Sequence, residues 1–215
     1  MIFLITGAPG AGKGTQAALM VGELGLAKLS TGDALRKQIK DGSSVGLQAK
    51  GFMDNGRLVP DDVLLGVLRA ELAKLDGQDI LLDGYPRNIA QAKTLEELRE
   101  SYPVAGVIHL KVGRDALLER LSGRRVCDSC GATYHTKYSP VLDDTCTQCG
   151  GTVVQRPDDS AEKVATRLDV YEKETLPVLD FYRAKGIYNE VDGDADTEKV
   201  FKQVKEVLKK IASPT

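Results

Sequence analysis

The 215-residue chain has no tryptophan, two histidines, and only 5% aromatic residues. An aromatic platform for stacking single-stranded bases is therefore poorly supplied. No apolar run approaches the ~20 residues that cross a bilayer as a helix. Neither sign of charge dominates: 29 basic residues face 31 acidic ones, for a net charge of −2. That balance argues against wholesale binding to nucleic acid or anionic lipid. The apolar start, Met1 to Ile5, lacks a basic flank and runs straight into Thr6-Gly7, unlike a secretory leader. A cytoplasmic location is expected, with neither membrane nor nucleic acid as partner, and a monomeric state. What is present is ordinary for a globular chain, 42% hydrophobic and 28% charged. The length suits one large domain with inserts.

Short apolar runs alternate with helical patterns. Strands are expected at 2–6, 26–29, 80–83, 107–112 and 187–191. Helices are expected at about 61–75, 88–100, 114–122, 160–185 and 196–211. Strands alternating with helices predict an α/β fold, a parallel sheet covered on both faces. Two stretches break the rhythm. Residues 30–59 are helical without a clear strand, and end in an Asn55-Gly56 turn before Pro60. Residues 125–156 are polar and hold all four cysteines.

Gly7-Ala8-Pro9-Gly10-Ala11-Gly12-Lys13-Gly14-Thr15 follows the first strand and opens a helix. Glycines let backbone amides approach an anion, and a helix N-terminus adds unpaired amides and a positive dipole end. Lys13 adds a movable cation. The pattern is a Walker A loop except at Gly14, where Ser or Thr is usual. The hydroxyl arrives one residue late, at Thr15, which is therefore not assigned as a direct magnesium ligand.

This loop resembles that of the nucleoside monophosphate kinases. The resemblance continues through Ser30-Thr31-Gly32-Asp33 with Arg36, Leu82-Asp83-Gly84-Tyr85-Pro86-Arg87 with Gln91, Gly123-Arg124-Arg125, and Arg156-x-Asp158-Asp159 with Arg167. Together these motifs are similar to adenylate kinases of the long-lid bacterial type. The resemblance implies a P-loop nucleoside monophosphate kinase fold with two mobile inserts. The core would comprise 1–29, 60–121 and 159–215, with an AMP-binding insert at 30–59 and a zinc-bearing lid at 122–158. It implies ATP, AMP and ADP as substrates and products, with Mg2+ arriving on ATP.

Site residues carry over position by position. ATP would meet Gly10, Ala11, Gly12, Lys13, Gly14, Thr15, Arg120, Arg124, Thr133 and Tyr134. AMP would meet Thr31, Arg36, Arg57, Leu58, Val59, Gly84, Tyr85, Pro86, Arg87, Gln91, Arg156 and Arg167. Catalysis would rest on Lys13, Arg87, Arg124, Arg156 and Arg167. Phosphoryl transfer asks for positioning and charge stabilisation, and guanidinium forks suit phosphate oxygens. Asp83 would meet the magnesium either directly or through one of its bound waters.

Plainer roles stand beside these. Arg120 and Arg124 share a helix face only if the helix persists. Thr31 could cap a helix, Gln91 could be solvated surface, and Asp158-Asp159 could be a capping pair. Arg69, Arg99 and Arg114 match no motif. His109 lies in an apolar strand and reads as structural. His135 reads as structural or nucleotide-adjacent. A guanine-reading Asn-Lys-x-Asp motif is absent, which disfavours a GTPase switch.

Cys127-x-x-Cys130-Gly131 and Cys146-x-x-Cys149-Gly150 are separated by residues 131–145. Four thiols at this spacing match a closed structural zinc site, with two disulfides as the alternative.

Overall fold

The computed structural model describes residues 1–212, so the last three residues of the expected core lie outside the described residues. Five parallel strands form the central sheet: β1 (Ile2–Gly7), β2 (Ala27–Ser30), β3 (Ile80–Asp83), β4 (Val104–Lys111) and β8 (Tyr188–Asp192). Their order is β2-β3-β1-β4-β8. Strand alternation splits the core in two. Ile2, Leu4, Ile80, Leu82 and Val107 face one layer, against α4 (Asp61–Leu72), α5 (Ile89–Glu97) and α8 (Leu176–Ala184). Phe3, Ile5, Leu81, Ile108 and Leu110 face the other, against α1 (Lys13–Leu24), α6 (Arg114–Ser122) and α9 (Thr197–Ala212). In open parallel sheets, ligands sit beyond the carboxyl ends of the strands. Here β1, β2 and β3 deliver Gly7, Ser30 and Asp83 to that edge.

Two segments leave this core. Residues 30–59 carry α2 (Thr31–Lys40) and α3 (Ser44–Asp54). The cysteine segment forms a small antiparallel sheet of β5 (Arg124–Cys127), β6 (Thr133–His135) and β7 (Val153–Val154), in the order β6-β5-β7. The two segments touch: Lys40 Nζ donates to the Asp128 carbonyl at 3.2 Å.

The expected single helix over 160–185 is interrupted. It runs as α7 (Ala161–Val170), then a π-turn over Tyr171–Thr175, then α8. Pro177 has no N–H to return to the preceding turn, so the ladder widens there. An α-helix turns about 100° per residue, so residues four apart drift by about 40°. The wider turn offsets that drift, and Arg167, Tyr171, Thr175 and Leu179 all line the same cleft. The helix after β4 also ends early for one expectation. α6 stops at Ser122, and Arg124 stands on β5, so Arg120 and Arg124 do not share a helix face.

Candidate functional site

One cleft of about 1210 Å3 opens above the strand ends. Its walls include the glycine loop, the start of α2, the Arg57-Leu58-Val59 turn, the Asp83–Arg87 segment, Arg120 and Arg124, and Thr133 and Tyr134 on β6. Arg156, Asp158 and Arg167 complete it. Every nucleotide-contact residue carried over from the sequence therefore lines the same space.

The glycine loop is tight by construction. Gly10 has φ +86°, and a Cβ there would lie 2.9 Å from Leu121 Cγ and 3.1 Å from the Leu117 carbonyl. No other residue takes that angle in that space without strain. Lys13 Nζ curls back to donate to the carbonyls of Gly7 at 2.7 Å and Ala8 at 2.9 Å. Burial lowers its pKa to about 8. The Asp83 carboxylate opposes that shift, and Arg87, Arg167 and Arg124 reinforce it.

Arginines crowd the other wall. Burial lowers the pKa of Arg87 and Arg167, and that of Arg156 to about 10, with neighbouring guanidiniums adding to each shift. Carboxylates hold most of them in place. Arg36 Nη2 donates to Asp33 Oδ1 at 2.5 Å. Burial resists ionisation of Asp33, but Arg36 and Lys28 outweigh it and keep that carboxyl well below the usual range. Arg124 grips Asp159 with two parallel bonds, Nε to Oδ2 at 2.7 Å and Nη2 to Oδ1 at 2.5 Å. Arg167 Nη1 reaches the same carboxylate at 2.8 Å. Asp159 and Asp158 are thus arginine anchors rather than a helix cap, and no side-chain cap bond forms at the start of α7. Arg87 Nε donates to the Gly84 carbonyl at 2.8 Å. Arg156 Nε is buried with no partner among the described residues. Such an orphaned donor suits an anion that the cleft would receive.

Arg120, also in the cleft wall, is held by a backbone carbonyl instead. Its Nη1 donates to the Gly193 carbonyl at 2.9 Å, bracing the loop after β8. His135 stands at the end of β6. Its Nδ1 accepts the amides of Lys137 and Tyr138, so Nε2 carries the proton. That Nε2 is buried and unpartnered among the described residues. His109 is a core residue, its ring nitrogens bonded to the hydroxyls of Tyr188 and Tyr171. Burial lowers its pKa to about 4, so it stays neutral at physiological pH.

At the start of α2, Thr31 does not cap the helix. Ser30 does, accepting the Asp33 amide, while Thr31 Oγ1 donates to the Gly84 carbonyl at 2.9 Å. Gln91 is not surface either: it is 1% exposed, with both ends of its amide bonded inside the protein. Gly84 has φ +83°, and a Cβ there would crowd Arg87 Nη2 at 3.0 Å and Thr31 Oγ1 at 3.1 Å.

A family model described as adenylate kinase matches residues 5–187 of the chain. The chain is 49% identical to the adenylate kinase of Geobacillus sp. (strain WCH70), covering 97% of this chain and 98% of the relative. It is 46% identical to that of Bacillus pumilus over 97% and 98%, and 45% identical to that of Methanosarcina barkeri over 99% and 100%. The chain belongs to the adenylate kinase family. It is thus a nucleoside monophosphate kinase, an enzyme of phosphoryl transfer.

Adenylate kinases use Mg2+ with ATP, and this cleft offers a hard oxygen donor for it. Asp83 ends β3 beside β1, where its carboxylate opposes the burial-driven lowering of the Lys13 pKa. The cysteine segment presents a separate donor set. The sulfurs of Cys127, Cys130, Cys146 and Cys149 all lie within 4.8 Å of one another. Cys127 and Cys149 sulfurs are 3.5 Å apart, and Cys130 and Cys146 sulfurs 3.6 Å. Zn–S bonds of ~2.3 Å in a tetrahedron would place sulfurs about 3.8 Å apart. No disulfide joins them. The phenol of Tyr134 is turned into this cluster, 3.2 Å from Cys146 Sγ, and the residue also borders the cleft.

Proposed function

We propose that the cleft holds MgATP and AMP together and passes the terminal phosphoryl group between them, giving two ADP reversibly. One observation carries this reading. Lys13, Arg36, Arg87, Arg124, Arg156 and Arg167 arrive from separate segments and converge on one cleft, whose lining among the described residues holds nine lysines and arginines against six aspartates and glutamates. That surplus of crowded cations suits two polyphosphate chains meeting end to end. ATP's phosphates would sit on the glycine loop and the amides opening α1. Arg36 and Arg87 would hold the AMP phosphate, while Lys13, Arg124, Arg156 and Arg167 stabilise charge on the moving group. Mg2+ supplies charge neutralisation on the ATP phosphates, and Asp83 would orient it or its water. Thr31 and Gln91 would meet the acceptor base, with backbone groups of Arg57, Leu58 and Val59. Residues 30–59 and 122–158 would close over both nucleotides and keep water from acting as acceptor.

The direct test is coupled ADP formation from ATP with AMP, CMP, UMP or GMP as acceptor. AMP should give the highest kcat/KM by a wide margin. Comparable turnover with CMP or UMP would assign the chain to another monophosphate specificity.

We also propose that the four thiolates hold a structural zinc ion. Four thiolates leave no open position for substrate, and the lid's own apolar cluster is small, centred on Cys127, Tyr134, Cys146 and Val153. Zinc binding in small peptide sites is worth ~10–16 kcal/mol, part of which a tethered lid converts to stability. Cys130→Ser should therefore reduce bound zinc and lower Tm, while turnover at low temperature persists. Metal analysis and melting curves on both proteins check this. A native protein purified without metal and with oxidised cysteines would refute the zinc assignment.

A further inference from the structure

A glutamine can read a purine edge in two ways, because its amide carries a donor and an acceptor of nearly the same shape. One orientation meets adenine, which offers its exocyclic amine as donor and N1 as acceptor. The reversed orientation meets a 6-oxopurine, which offers a carbonyl as acceptor and N1–H as donor. A glutamine free to turn over cannot choose between them.

Gln91 is not free. Its Oε1 accepts the Arg87 amide at 2.7 Å, and its Nε2 donates to Asp61 Oδ1 at 2.7 Å. A backbone N–H can only donate and a carboxylate can only accept, so the two neighbours decide which end is which. Turning the amide over would set donor against donor and acceptor against acceptor. With Gln91 at 1% exposure, water cannot relieve that mismatch. Asp61 is itself held. Asn88 Nδ2 donates to its two oxygens at 3.1 and 3.3 Å, while Asn88 Oδ1 accepts the Gln91 backbone amide at 2.8 Å. This frame ties the first residue of α4 to the first turn of α5, and it borders the cleft through Gln91.

We propose that Asp61 is a positioning residue for base specificity. By locking the Gln91 amide, it makes the acceptor site take a 6-aminopurine monophosphate and reject a 6-oxopurine one. Asp61 does not line the cleft and acts only through Gln91. The inference rests on the reading above that the acceptor base meets Gln91. Asp61 also opens α4, where a negative charge favours the helix terminus. That role alone would change thermal stability and leave base preference untouched.

The experiment compares kcat/KM for AMP and for IMP in the full chain and in Asp61→Leu, Asp61→Asn and Gln91→Ala. Asp61 is solvent-accessible, so the loss of its bond corresponds to the ordinary range for one hydrogen bond. Asp61→Leu should lower the AMP-to-IMP ratio roughly three- to tenfold, with KM for ATP unchanged. Asp61→Asn keeps an acceptor where Oδ1 stands and should retain the ratio. If the leucine variant fails to fold, Asp61→Ala makes the same comparison. A wild-type ratio in a folded Leu or Ala variant would overturn the lock. An equal loss in Asp61→Asn would overturn it too, by showing that charge and not the acceptor matters. Gln91→Ala should raise KM for AMP. If it does not, the acceptor base lies elsewhere and the underlying reading fails, whatever the Asp61 variants do.

Discussion

Lys13→Met should lower kcat by about 10²–10³-fold, with the melting temperature preserved or raised. The side chain spends its ammonium on two loop carbonyls, Gly7 and Ala8. Those bonds are made to the same loop that would cradle the phosphates, so in the proposed reading the cation would stand beside the transferring group. Methionine fills a similar volume without charge, and it relieves a buried ammonium of its desolvation. Near-normal turnover in the folded variant would remove Lys13 from the chemistry. A pH experiment reaches the same group independently. Burial lowers its pKa to about 8, whereas in an unfolded chain a lysine stays charged to ~10.4. Between those values the unfolded chain binds the extra proton. This group therefore adds stability to the nucleotide-free fold as pH rises through that window, and costs stability below it. Bound polyphosphate reverses the preference and favours the charged form. ATP binding at about pH 8.5 should accordingly take up protons, as calorimetry in buffers of different ionisation enthalpy would report. The uptake should vanish in Lys13→Met. Equal proton uptake in both proteins would place the titrating group elsewhere.

The parts of the site that sequence made legible are those written in consecutive residues. The glycine loop needs a strand before it, a helix after it and Lys13 between, and all three are local. β3 is legible for the same reason, because Ile80-Leu81-Leu82-Asp83 is a short apolar run ended by an acid. The cysteine cluster follows from spacing alone. What local pattern could not supply was the long-range partner of each polar side chain. Gln91 on a helix looks like surface until Asp61, 30 residues away, is packed against it. Thr31 looks like a cap until Gly84 arrives from β3, leaving Ser30 to cap α2. Arg120 and Arg124 fit a helical spacing, but α6 ends between them at Ser122. The π-turn over Tyr171–Thr175 had one local signal, Pro177 within an otherwise unbroken helical pattern. The anchoring role of Asp159 had none, since its arginine partners lie 8 and 35 residues away.

That anchor sets the second large effect. Arg167→Met should lower kcat by ~10³–10⁵-fold, equivalent to roughly 4–7 kcal/mol of transition-state stabilisation. Arg167 sits where three parts of the molecule meet. Its Nη1 is held by Asp159 Oδ1 and by Asp158 Oδ2, each at 2.8 Å. Its stem lies under the turn at Gly56, where a Cβ would come within 2.8 Å of Arg167 Cγ. Its head lines the cleft. The guanidinium is therefore fixed in direction by carboxylates behind it and by the 30–59 segment above it, and needs little reorganisation when phosphate arrives. Arg167→Lys keeps the charge but loses the planar fork that bonds carboxylate and phosphate together, so it should recover only part of the rate. Asp159→Ala separates positioning from charge. Its side chain is wholly buried and serves both Arg124 and Arg167, so removing it leaves two guanidiniums without their shared partner. Breaking such a buried pair costs about 3–5 kcal/mol, and Tm should fall accordingly. Addition of a bisubstrate inhibitor, whose phosphates pair with both arginines, should restore part of that stability. Arg167→Met should show the opposite balance, with a large loss of rate and a weaker response of Tm to the same inhibitor. If Arg167→Met turns over within tenfold of the wild type, the arginine is an anchor for Asp158 and Asp159 and not a group that acts on the transferring phosphoryl.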